Sequence, residues 1–220
     1  MFRIAVYTCI SGQFEQPKNN QNFEGADFFL FTDNGLLKTP WRIKPITNLF
    51  KDPRRSARFH KILSHEFFSD YDYTIWLDGS ITLKIPAFNL IDKMNHVDIM
   101  ALKHLDRVCA YDEAMECLDK QLDYPENLHK IMSRMRESKY PIENGLGETK
   151  VLIRKNTKKV EEFNREWFYQ LFTTTLRDQV TFNFSAWLTN NEVGYLPSWK
   201  ERPEWYKYDK HIRKIYESQT

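Results

Sequence analysis

The stretch Tyr71-Asp72-Tyr73-Thr74-Ile75-Trp76-Leu77-Asp78-Gly79-Ser80 decides how the chain folds. Its first part is aromatic and β-branched with few polar interruptions, the pattern of a buried strand. It ends on a carboxylate and a hydroxyl either side of a glycine, where a strand runs out into a loop. In open α/β sheets, ligands bind outside the carboxyl ends of the strands. A hard divalent cation takes oxygen ligands and keeps waters and substrate phosphates in its shell. Asp78 and Ser80 are therefore candidate ligands of a metal that in turn holds a diphosphate. A strand-to-strand turn fits the same residues, because Asp-Gly is a common turn pair.

Outward from that stretch the pattern is α/β. Arg3 to Ile10, Asp27 to Thr32 and Trp41 to Ile46 read as strands, continuous apolar runs of a sheet covered on both faces. Asp52-Pro53 opens a helix, with Asp as N-cap and Pro at the first helical position. That helix is expected to reach about Phe68. Arg54, Arg58, Lys61 and His65 then lie on one stripe. The stripe contains no acid, and like charges at these spacings destabilise a helix unless an anion offsets them. Arg58 and Lys61 are its favoured phosphate-facing members.

After Ser80 the sequence predicts a short strand at Ile81 to Lys84, a small helix from Pro86 to Met94 and a strand from Asp98 to His104. Helices follow over Ala110 to about Gln121 and Glu126 to Ser138, then a strand over Val151 to Arg154. Val160 to Phe172 and Arg177 to Leu188 carry helical apolar faces. Tyr195 to Pro197 is the last short strand. The tail from Trp199 to Thr220 is basic and aromatic, and its rings need something to pack on.

At 220 residues the chain can build one sizeable core, and a single domain over 1–220 is expected. Hydrophobic residues at 41% and charged residues at 28% are ordinary for a soluble protein. The net charge of +2 calls for no nucleic acid, so any basic function is local. The apolar runs fall well short of the roughly 20 residues of a membrane span. Met1-Phe2-Arg3 leads straight into a strand, which argues against a signal peptide. Cys9, Cys109 and Cys117 lack zinc-site spacing and suit a reducing compartment, hence the cytoplasm.

In order, the chain carries Tyr7-Thr8-Cys9-Ile10-Ser11-Gly12, Leu30-Phe31-Thr32-Asp33-Asn34, Arg55-Ser56-Ala57-Arg58-Phe59-His60-Lys61-Ile62, and Ile75-Trp76-Leu77-Asp78-Gly79-Ser80. Lys103-His104-Leu105-Asp106-Arg107 with the segment to Ala114, and then Arg177-Asp178-Gln179, follow. This series resembles a family of GT-A-fold nucleotide-sugar glycosyltransferases with bacterial, plant Golgi and large-DNA-virus members, among them amino-terminal domains of chlorella-virus proteins that build capsid glycans. The resemblance runs over about residues 3 to 190.

It implies a Rossmann-like, mixed but mostly parallel sheet flanked by helices. It also implies Mn²⁺ (or Mg²⁺), a UDP-sugar donor of the UDP-glucose or UDP-rhamnose type, a glycan or glycoprotein acceptor, and a monomer. The family's Asp-x-Asp element is here Asp78-Gly79-Ser80, without its second carboxylate. His211 is the candidate to complete the metal shell, with Lys214 close enough to meet a phosphate; on this reading residues 199–220 close over the donor site. Thr8 and Asp33 fall where such enzymes hold the uridine. Gly79, His104 and Gln179 join Arg58, Lys61 and Asp78 on the nucleotide-sugar.

Glycosyl transfer builds positive charge on the anomeric carbon and negative charge on the departing diphosphate. An inverting transfer needs a base, and Asp178 is the leading candidate, with His104, Asp106 and Glu148 behind it. Asp178 also suits a structural role against the helix dipole. A nucleotidyltransferase would need a glycine-rich, arginine-containing loop after the first strand; residues 11–26 hold only Gly12 and Gly25 and no arginine. A non-catalytic carbohydrate-binding module would use the aromatics without Asp78 and the basic stripe.

Overall fold

A computed structural model describes residues 2–12, 15–47 and 50–209. His211 and Lys214 lie outside the described residues. Nine strands form two sheets. β1 (Ile4–Ile10), β2 (Asp27–Thr32), β3 (Arg42–Pro45), β4 (Tyr73–Leu77), β6 (Ile99–Lys103), β7 (Gly147–Lys155) and β8 (Val193–Leu196) make a seven-stranded sheet in the order β3-β2-β1-β4-β7-β6-β8. β5 (Ile81–Leu83) pairs antiparallel with β9 (Tyr206–Tyr208) in a separate ribbon.

β1 pairs parallel with β2 and β4, and β2 with β3. β7 is antiparallel to both neighbours, β4 and β6, and β8 runs parallel to β6. β7 is thus the one reversed strand, and the expected mixed, mostly parallel sheet is what forms. The chain steps outward from β1 to β2 and β3, then returns to place β4 on the other side of β1. The topological switch point, where open α/β sheets bind ligands, therefore lies between the ends of β1 and β4.

Strand residues alternate between two cores. Ala5, Tyr7, Phe29, Trp76 and Leu152 face α1 (Pro53–Ile62), α5 (Lys158–Thr173) and α6 (Asp178–Leu188). Val6, Leu30, Ile75, Leu77 and Ile153 face α2 (Phe88–Ile91) and the β5–β9 ribbon. A third cluster joins α3 (Ala110–Asp119) and α4 (Pro125–Glu137) to α6. No helix of the described residues is long and apolar enough to cross a membrane.

Two differences from the sequence reading bear on the site. The basic helix ends at Ile62, not near Phe68. Asp52 caps it as expected, its carboxylate accepting from Arg54 N at 2.9 Å, but Leu63 leaves helical geometry and Ser64 to Glu66 form a 3₁₀ turn. His65 therefore leaves the stripe and sits against Asn164 at 3.2 Å and Glu66 at 3.3 Å. The strand expected at Val151 begins four residues earlier, at Gly147. Its pairing with β6 skips from Ala101↔Leu152 to Leu102↔Glu148. The odd number of extra residues in β7 reverses the inside–outside alternation, as β-bulges do beside sites. Thr149, which strict alternation from Leu152 would put on the ribbon face, is turned to the α1 and α6 face.

Candidate active site

Alternation along β4 places Asp78 on the same face as Trp76, toward α1. The Trp76 indole Nε1 donates to Asp78 Oδ1 at 2.6 Å, and the Lys61 ammonium reaches the same oxygen at 3.3 Å. Asp78 Oδ2 has no hydrogen-bond partner among the described residues. Beside this carboxylate a cleft of about 230 Å³ opens at the switch point. Its walls include Cys9 to Ser11 from the end of β1, Arg54 and Arg58 from α1, and Asp78-Gly79 after β4. Glu15 lines it too, with a carboxylate oxygen 2.5 Å from where a side chain on Gly79 would begin.

Behind the cleft lies a buried ion cluster. Lys61 is 1% exposed, with Nζ 2.7 Å from Asp178 Oδ2 and 3.2 Å from Thr149 Oγ1. Arg58 Nε is 3.0 Å from Asp178 Oδ1, and the Thr149 hydroxyl donates to Asp178 Oδ2 at 2.9 Å. Burial alone would raise the Asp178 pKa. Arg58, Lys61 and Arg177 together outweigh it and hold the carboxyl far below the usual range. Both carboxylate oxygens are committed, and a carboxylate so stabilised is a weak base. In this geometry Asp178 is a clamp on two cations. Lys61, expected to face a phosphate, is committed to carboxylates and a hydroxyl; Arg58, half-buried on the cleft wall, is the stripe residue that meets the cavity.

Buried Arg154 orders Lys61 from beneath. It is fully buried and donates to the Lys61 and Ile62 carbonyls at 2.7 and 2.8 Å, to Asn164 Oδ1 at 2.6 Å, and to the Tyr7 hydroxyl. A guanidinium on the last carbonyls of α1 satisfies groups the helix leaves unpaired and suits the negative end of its dipole.

The remaining predicted residues are more spread out. Asp33 is exposed at the end of β2 and accepts from Gly12 N at 2.7 Å, tying the β1 and β2 loops together. Burial pushes the Cys9 thiol up, Asp33 adds to this, and Arg58 opposes it, which places both charges near the end of β1. Thr8 is buried, as is Ser80, and the hydroxyl of each lacks a hydrogen-bond partner. Neither lines the cleft. Gln179 follows Asp178 in the first turn of α6, half-buried.

His104 ends β6 in a second cluster. Its Nδ1 accepts from the backbone of Asp106 and Arg107 at 3.2 and 3.0 Å, and Arg107 Nε meets Glu113 at 2.7 Å. Burial, then Arg107, lowers its pKa. Glu148 pairs with Lys150. Of the predicted tail, Trp199 and Tyr208 stack at 4.6 Å, and Asp209 N donates to the Ser80 carbonyl at 2.9 Å.

Trp76, Thr149 and Arg154 escaped the sequence reading as site residues. Trp76 sat in the deciding stretch but read only as core. Thr149 lies between Glu148 and Lys150 in a polar triplet that carries no strand signal.

Among the described residues, no three His, Cys, Asp or Glu side chains gather as a metal cage. The Asp78 carboxylate oxygen without a partner and the orphaned Ser80 hydroxyl are hard donors. They fit in kind an ion that takes the rest of its shell from water and phosphate.

A mixed, mostly parallel sheet of this strand order, with a cleft at its switch point, is the GT-A fold. The TOD1/MUCI70 glycosyltransferase-like domain model matches residues 30–196, and the chain belongs to that family. It is 23% identical over 215 residues to the probable hexosyltransferase MUCI70 of Arabidopsis thaliana, covering 82% of this chain and 36% of that protein. It is 28% identical over 178 residues to the alkaline ceramidase TOD1 of the same plant, covering 70% and 38%. The chain thus spans little more than a third of these curated relatives.

Two solved structures share the fold. They are the apo WbbM bifunctional glycosyltransferase, with a TM-score of 0.56 at 11% identity over 89% of this chain and 39% of that one, and apo mouse xyloside xylosyltransferase 1, with 0.50 at 9% identity over 96% of each.

Proposed function

We propose that the domain transfers a hexose or deoxyhexose from a UDP-sugar, of the UDP-glucose or UDP-rhamnose kind, to a hydroxyl of a glycan or glycoprotein. The observation that carries this reading is Asp78, at the lip of the switch-point cleft with Oδ2 unengaged and Oδ1 fixed by Trp76 and Lys61. Asp78 and Ser80, with the donor diphosphate, would hold Mn²⁺ or Mg²⁺. When bound, such an ion neutralises charge on the leaving diphosphate.

The chain's own residues do the rest. Lys61 lies closer to Asp178 than to Asp78, at 2.7 against 3.3 Å. Coulomb attraction falls with distance, so Lys61 is drawn more strongly to Asp178 and leaves Asp78 Oδ2 open toward the cleft. Arg58 pairs with Asp178 by charge, its Nε 3.0 Å away without a hydrogen bond, and keeps its N–H donors for a phosphate in the cleft. Asp178 is on this reading a positioning residue that acts through Lys61 and Arg58.

The test is UDP release from a panel of donors, run beside thermal stabilisation by UDP with and without Mn²⁺. Stabilisation that needs the metal, together with UDP release, supports transfer. Glycan binding without any UDP effect points to a carbohydrate-binding module. If no UDP-sugar is bound or hydrolysed with any divalent metal, the reading fails.

A further inference from the structure

Beyond Arg58, on the side of the cleft away from Asp78, lies a second and smaller cavity of about 40 Å³. Four of its lining residues are arginines: Arg54, Arg55 and Arg58 from the first turns of α1, and Arg177 at the start of α6. Its floor is apolar, with Leu171 and Phe172 from the end of α5. No carboxylate lines it.

The nearby acids are already engaged. Asp52 takes the Arg54 guanidinium at 3.0 Å, and its charge also faces Arg55. Asp178 is held by Arg58 and Lys61 and faces Arg177 as well. Asp123, whose field reaches Arg54, accepts from Thr175 Oγ1 and Leu176 N at 2.6 Å each. Arg55 and Arg177 have no carboxylate ion pair among the described residues. Arg55 lies over the Phe172 ring at 5.2 Å, an arrangement that leaves the edge of a guanidinium free to donate.

We propose that this cavity receives the carboxylate of an acidic sugar. Arg55 and Arg177 are its recognition residues, and the rest of the sugar lies in the adjoining cleft. The inference rests on reading that cleft as the donor site. The size fits the group: a cavity of about 40 Å³ clears the roughly 10–15 Å³ that one water needs, room for a planar carboxylate. Arginine forks match carboxylate oxygens two at a time, and an apolar floor strengthens the pairing by keeping water away. The cavity shares Arg54 and Arg58 with the cleft, so a substrate there can reach it with a side group. The carboxylate can belong to the donor or to the acceptor, and the two sources are separable.

The experiment is calorimetry on the full chain with Mn²⁺. One arm compares UDP-glucuronate with UDP-glucose; the other compares a galacturonate trisaccharide with a neutral galactose trisaccharide. The expected result is a preference of about tenfold or more for the acidic ligand in one arm, which identifies the source. The preference weakens as NaCl is raised from about 0.05 to 0.5 M. It is lost in Arg177→Gln and in Arg55→Gln, while UDP affinity stays within about twofold.

Arg177 makes no side-chain capping bond to α6, so its replacement removes no cap; thermal melts of both variants check the fold. Equal affinity for acidic and neutral ligands in both arms overturns the proposal. So does a loss of UDP affinity in the two variants as large as the loss of acidic preference, which would make the cavity part of the diphosphate site. If UDP itself fails to bind the wild type, the cleft reading falls and the proposal with it; UDP binding without acidic preference removes this proposal alone.

Discussion

Replacing Asp178 by Asn keeps the shape and removes the charge that Lys61 and Arg58 share. Lys61, 1% exposed, then keeps only Asp78 at 3.3 Å and Thr149 at 3.2 Å. Breaking a buried ion pair by removing one partner costs about 3–5 kcal/mol. With two contacts surviving, the low end applies, about 3 kcal/mol. For a chain of this size each kcal/mol moves Tm by about 2–4 °C, so a fall of about 6–12 °C is expected by calorimetry. UDP affinity should drop about tenfold, the worth of one misaligned charged hydrogen bond.

The effect has a pH signature. Asp178 is held below its unfolded pKa, so its stabilisation is present above that value, about 3.9, and is lost as pH falls through the folded one. The Tm gap between wild type and Asp178→Asn is therefore constant from about pH 5 to 8 and begins to close below about pH 4. A general base would behave otherwise: its loss cuts turnover by about 10²–10⁴ and leaves folding and UDP binding alone. Unchanged Tm and UDP affinity with turnover abolished would refute the clamp and return Asp178 to proton transfer.

Asp78→Asn should abolish the metal-dependent part of UDP binding; unchanged calorimetry would move the ion elsewhere. Trp76→Phe removes the 2.6 Å bond that orients Asp78, so Mn²⁺-dependent UDP affinity should fall about tenfold or more while affinity measured without metal holds. Gly147→Ala would put a methyl 2.9 Å from Ala101 Cβ and 2.8 Å from Phe182; overpacking of about 1–3 kcal/mol should appear as a lower urea midpoint. Arg154→Met strands the Ile62 carbonyl and leaves the Lys61 carbonyl to the Tyr7 hydroxyl alone; it should cost about 1–3 kcal/mol in denaturant melts, and an unchanged midpoint would show that Ile62 finds another donor.

The parallel half of the sheet was legible because β1, β2 and β4 are apolar runs that end in polar, glycine-containing loops, and that pattern is written locally. The reversal of β7 was not, because periodicity carries no direction. The bulge that turns Thr149 was hidden for the same reason: a register shift exists only between two strands. Asp78 and Asp178 were named as loop-end and helix-start carboxylates, but the partners each one meets were not legible. Whether Asp178 accepts a proton or clamps cations depends on Lys61 being buried, and the stripe containing Lys61 read as phosphate-facing, since burial beneath a neighbouring helix is not written in a helix's own periodicity. Arg154 read as the end of a strand, since nothing near it in sequence announces a buried guanidinium without a carboxylate.

The reversed strand has one more consequence. Because β7 runs against its neighbours, Thr149 arrives at the ligand edge to meet Lys61 across 88 residues of chain, and Asp178 comes from further on. No short contiguous fragment carries the cluster. Opening that separates α1, β7 or α6 therefore takes it apart. Ligand occupancy should slow cleavage at sites throughout the chain alike, and two separately expressed halves should regain UDP affinity only on reassociation.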